Sequence, residues 1–144
     1  MKNLILWVIL PLMAIQFIKL DVPQTLATNT KEQLQAPKEI IDILNRSCAD
    51  CHSNHVKYPW YDHIAPALWY VQLHVKNGRK VFNFDKWNSY NNEKKIKILE
   101  KIPKAIKIRM PLPSYLWLHQ NAKLSIKDKK ILNKWAEDLQ FSLK

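Results

Sequence analysis

The chain has 144 residues, which is enough for one domain with a single hydrophobic core and an appendage, but not for two cores. Its formal net charge of +11 comes from 20 lysines and three arginines that are spread along the sequence. A nucleic-acid-binding protein concentrates Arg and Lys in one motif or on one face, so this distribution argues against that class. The excess charge would still steer the chain toward an acidic partner protein or an anionic surface at low salt.

The first element is an apolar run from Leu4 to Ile18 that only Gln16 interrupts. The run is shorter than the roughly 20 apolar residues that usually span a bilayer, although Lys2 and Lys19 would extend it by reaching to the two interfaces. It does not end in the small residues of a signal-peptidase site. We therefore expect residues 1–20 to form an uncleaved membrane anchor, with a cleaved signal peptide as the alternative. Both would export the rest of the chain.

Residues 21–36 are polar and contain Pro23, which is typical of a linker that holds a domain off the membrane. The domain itself is then expected at residues 37–144. Its first helix follows Pro37, because Ile40, Ile41 and Leu44 recur at helical spacing.

Three further helices are predicted in this domain. One starts near residues 64–66 and runs to Lys76, where Asn77-Gly78 should end it with the chain's sole glycine in a left-handed cap. Another covers about residues 91–102 and is bent or closed by Pro103. The last begins at a capping box, Ser125 to Asp128, and carries an apolar stripe. No segment alternates as a strand does, so the sequence predicts an all-α, cytochrome c-like domain.

Both cysteines lie in one motif, Cys48-Ala49-Asp50-Cys51-His52, which is the attachment signature of a c-type haem. Two thiols three residues apart on one helical turn face the same way, so both can add to the vinyl groups of one porphyrin. His52 is then held where an imidazole nitrogen can reach the iron. The motif predicts one covalent haem per chain.

Three other kinds of site share this pattern. A thioredoxin-like dithiol would need a strand-helix alternation that is missing here. A zinc site using Cys48, Cys51, His52 or His55 would need a second ligand pair downstream. A structural disulfide would close too short a loop to stabilise the chain much.

The second axial ligand of the iron is the next question. Apart from Met1 and Met13 in the apolar run, Met110 is the only methionine, and it precedes Pro111 on a proline-rich segment that should be constrained. We expect its sulfur to be the sixth ligand. The competing candidates are histidines, with His63 the first to test: His55, His63, His74 and His119.

Aromatic side chains are expected to keep the haem pocket dry, although ordinary core packing would also explain them. They are Trp60, Trp69, Trp87, Tyr115 and Trp117.

The chain resembles the bacterial haem-binding domain family of cytochrome c type over Pro37 to about Leu139. The resemblance rests on these stretches: Cys48 to Asn54, Tyr58-Pro59-Trp60-Tyr61, Ile64-Ala65-Pro66, Gly78-Arg79-Lys80, Asn83 to Trp87, Met110 to Tyr115, His119, and Ala122 to Ser125. It implies a covalent haem on Cys48 and Cys51, with His52 as proximal and Met110 as distal ligand. Arg109 and Gln120 depart from the family pattern at positions that bind no iron.

These observations predict a membrane-tethered monohaem c-type cytochrome that carries single electrons on the periplasmic side of a bacterial inner membrane. Its partner would be another redox protein, and nucleic acid is not expected. The alternative is a haem-based sensor or ligand-binding module whose sixth iron position is open or labile. A peroxidase-like enzyme is disfavoured, because no distal acid-base pair stands out.

Overall fold

The computed structural model describes residues 2–18 and 26–144, and side chains from residue 5 onward. Within these ranges the protein consists of seven α-helices and four short 3-10 turns without any β-strand, which confirms the predicted all-α fold. The helices are α1 (Lys2–Ala14), α2 (Lys38–Ser47), α3 (Ala49–His52), α4 (Ala67–Val81), α5 (Asn92–Ile108), α6 (Pro113–Leu116) and α7 (Ile126–Ser142). The 3-10 turns are Ile15–Phe17, Trp60–His63, Phe84–Ser89 and Gln120–Ala122.

The main hydrophobic core lies between α5 and α7 and extends to α2. Leu99 of α5 and Leu132 of α7 are each 1% exposed. Ile40, Ile43 and Leu44 bring the apolar face of α2 to the same cluster. Because α7 starts at the capping box of Ser125 and Asp128, two backbone N–H groups at its first turn are satisfied. This helix therefore begins where the sequence predicted.

Helix α5 is longer than the sequence predicted, because Pro103 lies inside it and the helix ends at Ile108. Proline removes one hydrogen bond from a helix interior and is usually found at its end. Here Ile106, beyond the proline, is 6% exposed and packs into the core. Burial of this side chain stabilises the last turn and offsets the lost hydrogen bond.

Helix α4 also passes its predicted end, and the expected role of Gly78 is wrong. Gly78 lies inside α4 and does not adopt a left-handed conformation. A side chain at this position would clash with the carbonyl oxygen of Cys51 on α3. The glycine is needed because two helices approach each other closely, and not because one of them stops.

The described part of the predicted linker, residues 26–36, is hydrogen-bonded to the domain. Leu34 donates its backbone N–H to Phe84 O at 2.9 Å and buries its side chain in the core. Asn88 donates to Glu32 O at 2.8 Å. Residues 21–25 lie outside the described part of the chain.

The predicted N-terminal anchor contains α1 and the 3-10 turn that follows it. None of the helices in the described ranges is both long and apolar enough to cross a membrane. The end of this segment is joined to the domain by Gln16, whose side-chain amide pairs with the backbone of Ala65.

Candidate haem site

Cys48 lies at the break between α2 and α3, which places the two thiols on one turn. The backbone at Cys48 has φ −132° and ψ −28°, so α2 ends just before it and α3 begins just after it. The N–H groups of Cys51 and His52 both donate to Cys48 O, at 3.2 and 3.1 Å. Both cysteines are free thiols and are partly buried.

The ring of His52 is oriented by the segment that follows α4. Its Nδ1 lies 3.2 Å from Phe82 O, and its ring stacks on that of Phe82 at 4.2 Å with an interplanar angle of 14°. A neutral imidazole that donates from Nδ1 keeps the lone pair of Nε2 free for a metal. Burial lowers the pKa of His52, against the opposing effect of the Phe82 and Gly78 carbonyls, so the neutral ligand form is favoured.

The two thiols lie in surroundings that keep them protonated. Burial raises the pKa of Cys48 to about 12 and that of Cys51 to about 11. A reactive dithiol and a zinc thiolate both depend on a lowered thiol pKa. In addition, the described residues contain no group of three His, Cys, Asp or Glu side chains that could hold a metal ion.

A buried polar network fixes the chain immediately after the motif. Asn54 is 1% exposed, and its side chain accepts from Asn83 Nδ2 at 2.7 Å and donates to Ala27 O at 3.1 Å. Its backbone N–H donates to Asp85 Oδ2 at 2.6 Å, while Asp85 Oδ1 accepts from Gln33 Nε2 at 2.9 Å. The network joins three stretches that are distant in sequence.

Sequence reasoning did not assign a role to this network. Asn54, Asn83 and Asp85 all fall within stretches that carry the family resemblance. Hydrophobic periodicity indicates which face of a helix or strand is apolar, and it gives no signal for buried polar side chains. The available signal was the local pattern of short polar residues on both sides of an aromatic, Asn83-Phe84-Asp85.

Met110 lies on the turn between α5 and α6, outside helical geometry as predicted. It is half-buried, and its backbone N–H donates to Ala105 O at 2.9 Å. The hydrogen bond that joins this segment to the motif is made by Tyr115, whose hydroxyl donates to Asp50 Oδ2 at 2.7 Å. Burial and this bond both raise the pKa of Tyr115, so the hydroxyl remains a donor. Asp50 lies between the two cysteines, so this bond brings Tyr115, which follows Met110 in the chain, against the motif.

Among the histidines considered as sixth ligands, His119 contacts the residue that binds Asp50. Its ring stacks on Tyr115 at 4.1 Å with an interplanar angle of 6°, and its Nδ1 lies 3.1 Å from Tyr115 O. His63 is exposed, and His55 pairs with Thr28 Oγ1 at 2.8 Å. His74 Nδ1 lies 2.7 Å from Tyr70 O.

The aromatics that were expected in the pocket differ widely in exposure. Trp60 is 73% exposed and Trp117 is 78% exposed, whereas Trp87 is 5% exposed and belongs to the core. The rings that do contact His52 are those of Phe82 and Phe84. A cavity of about 460 Å³ adjoins the motif and is lined by Ala49 and Asp50, among other residues.

A family model described as "Haem-binding domain" matches residues 10–138. The chain belongs to this haem-binding domain family. The match covers the motif, the Asn54 network and the Met110 segment, and it begins within α1. Membership establishes haem as the ligand of this domain. No curated protein and no solved structure matches the chain significantly.

Proposed function

We propose that this haem-binding domain is a monohaem c-type cytochrome that carries single electrons at the periplasmic face of a bacterial inner membrane. Cys48 and Cys51 would hold the haem through thioether bonds, and His52 and Met110 would be the axial ligands. When bound, the haem supplies a reversible one-electron couple. The chain's own residues bind it, orient the imidazole and exclude water.

The observation that carries the proposal is the orientation of His52 beside two free thiols on the same turn. Phe82 O accepts a hydrogen bond from Nδ1–H, and this leaves Nε2 as the ligand atom. The same carbonyl makes the imidazole a stronger electron donor to a bound metal. Phe82 and Phe84 cover the ring and keep water from it.

Support for Met110 comes from the Tyr115–Asp50 bond, which ties its segment to the motif. A thioether is a suitable partner for an imidazole in electron transfer, because a low-spin iron with both ligands changes oxidation state with little rearrangement. Support for membrane attachment comes from the apolar α1 at the N-terminus. Cytochromes of this type receive their haem outside the cytoplasm, which agrees with an exported chain.

Covalent attachment is tested by extracting the purified protein with acid-acetone. We expect the haem to stay with the wild-type chain and to be lost completely from the double variant Cys48→Ala/Cys51→Ala. The matched control is Ser47→Ala, which removes one buried atom beside Cys48 that has no hydrogen-bond partner. Release of all haem from the wild type would overturn covalent attachment while leaving haem binding intact.

The sixth ligand is tested by the ferric absorption spectrum and by carbon monoxide binding to the ferrous protein. We expect the wild type to show a sulfur-to-iron charge-transfer band, and Met110→Ala to lose it and bind carbon monoxide. The conservative control Met110→Leu keeps the volume and lacks the sulfur. If His119→Ala changes the spectrum and Met110→Ala does not, the ligand is the histidine. A wild type that binds carbon monoxide readily would indicate a sensor with an open position.

A further inference from the structure

We propose that Tyr115 is a positioning residue for the sixth iron ligand, and that its hydrogen bond to Asp50 determines how firmly the Met110 sulfur is held on the iron. This role rests on the proposed function, in which Met110 is that ligand. It goes further by naming the contact that decides whether the sixth position is closed or labile. Tyr115 acts on the segment that carries the sulfur and not on the iron itself.

The backbone contacts of the Met110 segment are local. Met110 N–H donates to Ala105 O at 2.9 Å, near the end of α5, and Leu116 N–H donates to Leu112 O at 3.1 Å within and just before α6. These bonds shape the segment, but they do not join it to α3. A ligand that belongs to the same chain binds in an intramolecular step, so its affinity depends on how closely its segment is held to the site.

Two neighbouring residues of α6 join the segment to other helices through their hydroxyl groups. The Tyr115 hydroxyl donates to Asp50 Oδ2 of α3 at 2.7 Å, and this bond is partly buried. Ser114 Oγ lies 2.8 Å from the hydroxyl oxygen of Tyr70 on α4, and this contact is exposed. A hydrogen bond to a carboxylate is about twice as strong as one between neutral groups, and partial burial strengthens it further. The bond of Tyr115 should therefore hold the segment more firmly than that of Ser114.

Both partners of this bond are held by further contacts. The Tyr115 ring stacks on His119 at 4.1 Å, and His119 contacts Tyr61 edge to face at 6.2 Å. The other carboxyl oxygen of Asp50 accepts from the backbone N–H of Lys57 at 3.4 Å. A phenylalanine at position 115 could keep the ring stack, so its substitution would remove the hydroxyl bond alone.

The position of Asp50 gives the bond its effect on the sixth ligand. Asp50 lies between Cys48 and Cys51, so the proposed haem would be attached to the same turn that accepts the Tyr115 hydroxyl. The bond thus joins the segment of the sulfur directly to the turn of the haem. Without it, Met110 would be tied mainly to the end of α5, and an external ligand would compete with it more easily.

The test is titration of the ferric, haem-loaded full chain with imidazole, followed by loss of the sulfur-to-iron charge-transfer band. We expect Tyr115→Phe to bind imidazole about tenfold more tightly than the wild type, because it loses a hydrogen bond to a charged group. The matched control is Tyr70→Phe, which removes an exposed hydroxyl contact from the same segment and should change the affinity less than about twofold. Equal changes in the two variants would overturn the role of Tyr115.

Variants of Asp50 separate the hydrogen bond from the charge of the carboxyl group. Asp50→Asn keeps an acceptor oxygen and should stay close to the wild-type affinity for imidazole, whereas Asp50→Ala should match Tyr115→Phe. The double variant Asp50→Ala/Tyr115→Phe should bind imidazole no more tightly than either single variant, because both remove the same bond. Additive effects, or an Asp50→Asn protein that behaves as Asp50→Ala does, would overturn the proposal.

The outcomes also distinguish this role from the ligation on which it rests. A wild type without the charge-transfer band would overturn ligation by Met110, and the role of Tyr115 with it. A wild type with the band and a Tyr115→Phe variant of unchanged imidazole affinity would overturn only the role of Tyr115. If that variant lowers the free energy of unfolding and leaves the imidazole affinity unchanged, the hydroxyl is merely structural and the proposal is overturned.

Discussion

The half of the domain built by α5 and α7 and the half that carries the motif are held together by different means. Between α5 and α7, large aliphatic side chains such as Leu99 and Leu132 are fully buried. Around the motif, the most buried side chains include Asn54, which is hydrogen-bonded on both ends of its amide. Apolar contacts are non-directional and tolerate small shifts, whereas hydrogen bonds fix distances and angles.

The hydrogen bonds, which fix the backbone geometry most tightly, therefore lie around the Cys48–His52 motif. A haem attached at three points, as we propose for Cys48, Cys51 and His52, would require the backbone of one turn to be held in a single arrangement. The Asn54 network and the close approach at Gly78 provide this on either side of the turn. In the α5–α7 half, burial of apolar side chains is the main stabilising contribution.

Leu132→Ala should have the largest effect, and it should act on stability alone. Removing a fully buried leucine is expected to lower the free energy of unfolding by about 3 kcal/mol. Chemical denaturation of the haem-loaded protein measures this change, with the exposed Ile126→Ala as control. The haem spectrum should be unchanged while the protein is folded. A spectral shift as large as that of the motif-side variants would remove the distinction between the halves.

Asn54→Ala tests the polar half. It removes three side-chain hydrogen bonds and leaves Asn83 Nδ2 and Ala27 O without this partner, so we expect a loss of about 2 to 3 kcal/mol. Hydrogen exchange should accelerate selectively at Leu34, whose N–H bond to Phe84 depends on the same network. Asn92→Ala, on the exposed start of α5, is the matched control. Acceleration spread evenly over α7 as well would argue against a separate network.

Gly78→Ala tests the close approach of α4 to α3. An ordinary helix position and a closely packed one predict opposite signs for the change in the free energy of unfolding. At an exposed site in a helix interior this change stabilises by about 1 kcal/mol. At Gly78 the added methyl would meet Cys51 O, so we expect the free energy of unfolding to fall by about 1 to 2 kcal/mol. The neighbouring Asn77→Ala, at an exposed position of the same helix, should stabilise slightly. A stabilised Gly78→Ala protein would contradict the close approach.

Ser125→Ala should have the smallest effect, about 1 kcal/mol, because it removes one half of the capping box of α7.

Burial acts to raise the pKa of Asp128, but hydrogen bonds from Ser125 and the Arg46 guanidinium outweigh it and lower the pKa below the ordinary 3.8. The stabilisation is therefore present above pH 3.8 and is lost as the pH falls through the folded value. Denaturation of Asp128→Asn and wild type should differ at neutral pH and converge in acid. A constant difference would show that the charge is not involved.

The sequence predicted the elements whose signals are local. The apolar stripe and capping box of α7, the helix after Pro37 and the cysteine spacing each lie within a few residues. The helix ends expected near Gly78 and Pro103 are displaced, because contacts with distant residues decide the local structure there. At Gly78 the contact is with Cys51, and beyond Pro103 it is with the apolar core. The binding of residues 26–34 to the domain had no local signal, since a polar stretch looks the same whether it is solvated or hydrogen-bonded to a partner.

The hydrogen bond between Tyr115 and Asp50 spans 65 residues, and this separation bears on the order of assembly. The chain is synthesised from its N-terminus, so residues 48–52 are exposed well before Asn83, Asp85 and Tyr115 have been added. During that interval the thiols have neither the network nor the tyrosine around them, so they are accessible. Haem attachment, as we propose it, would therefore precede folding, and the finished domain would close over a bond that has already been made.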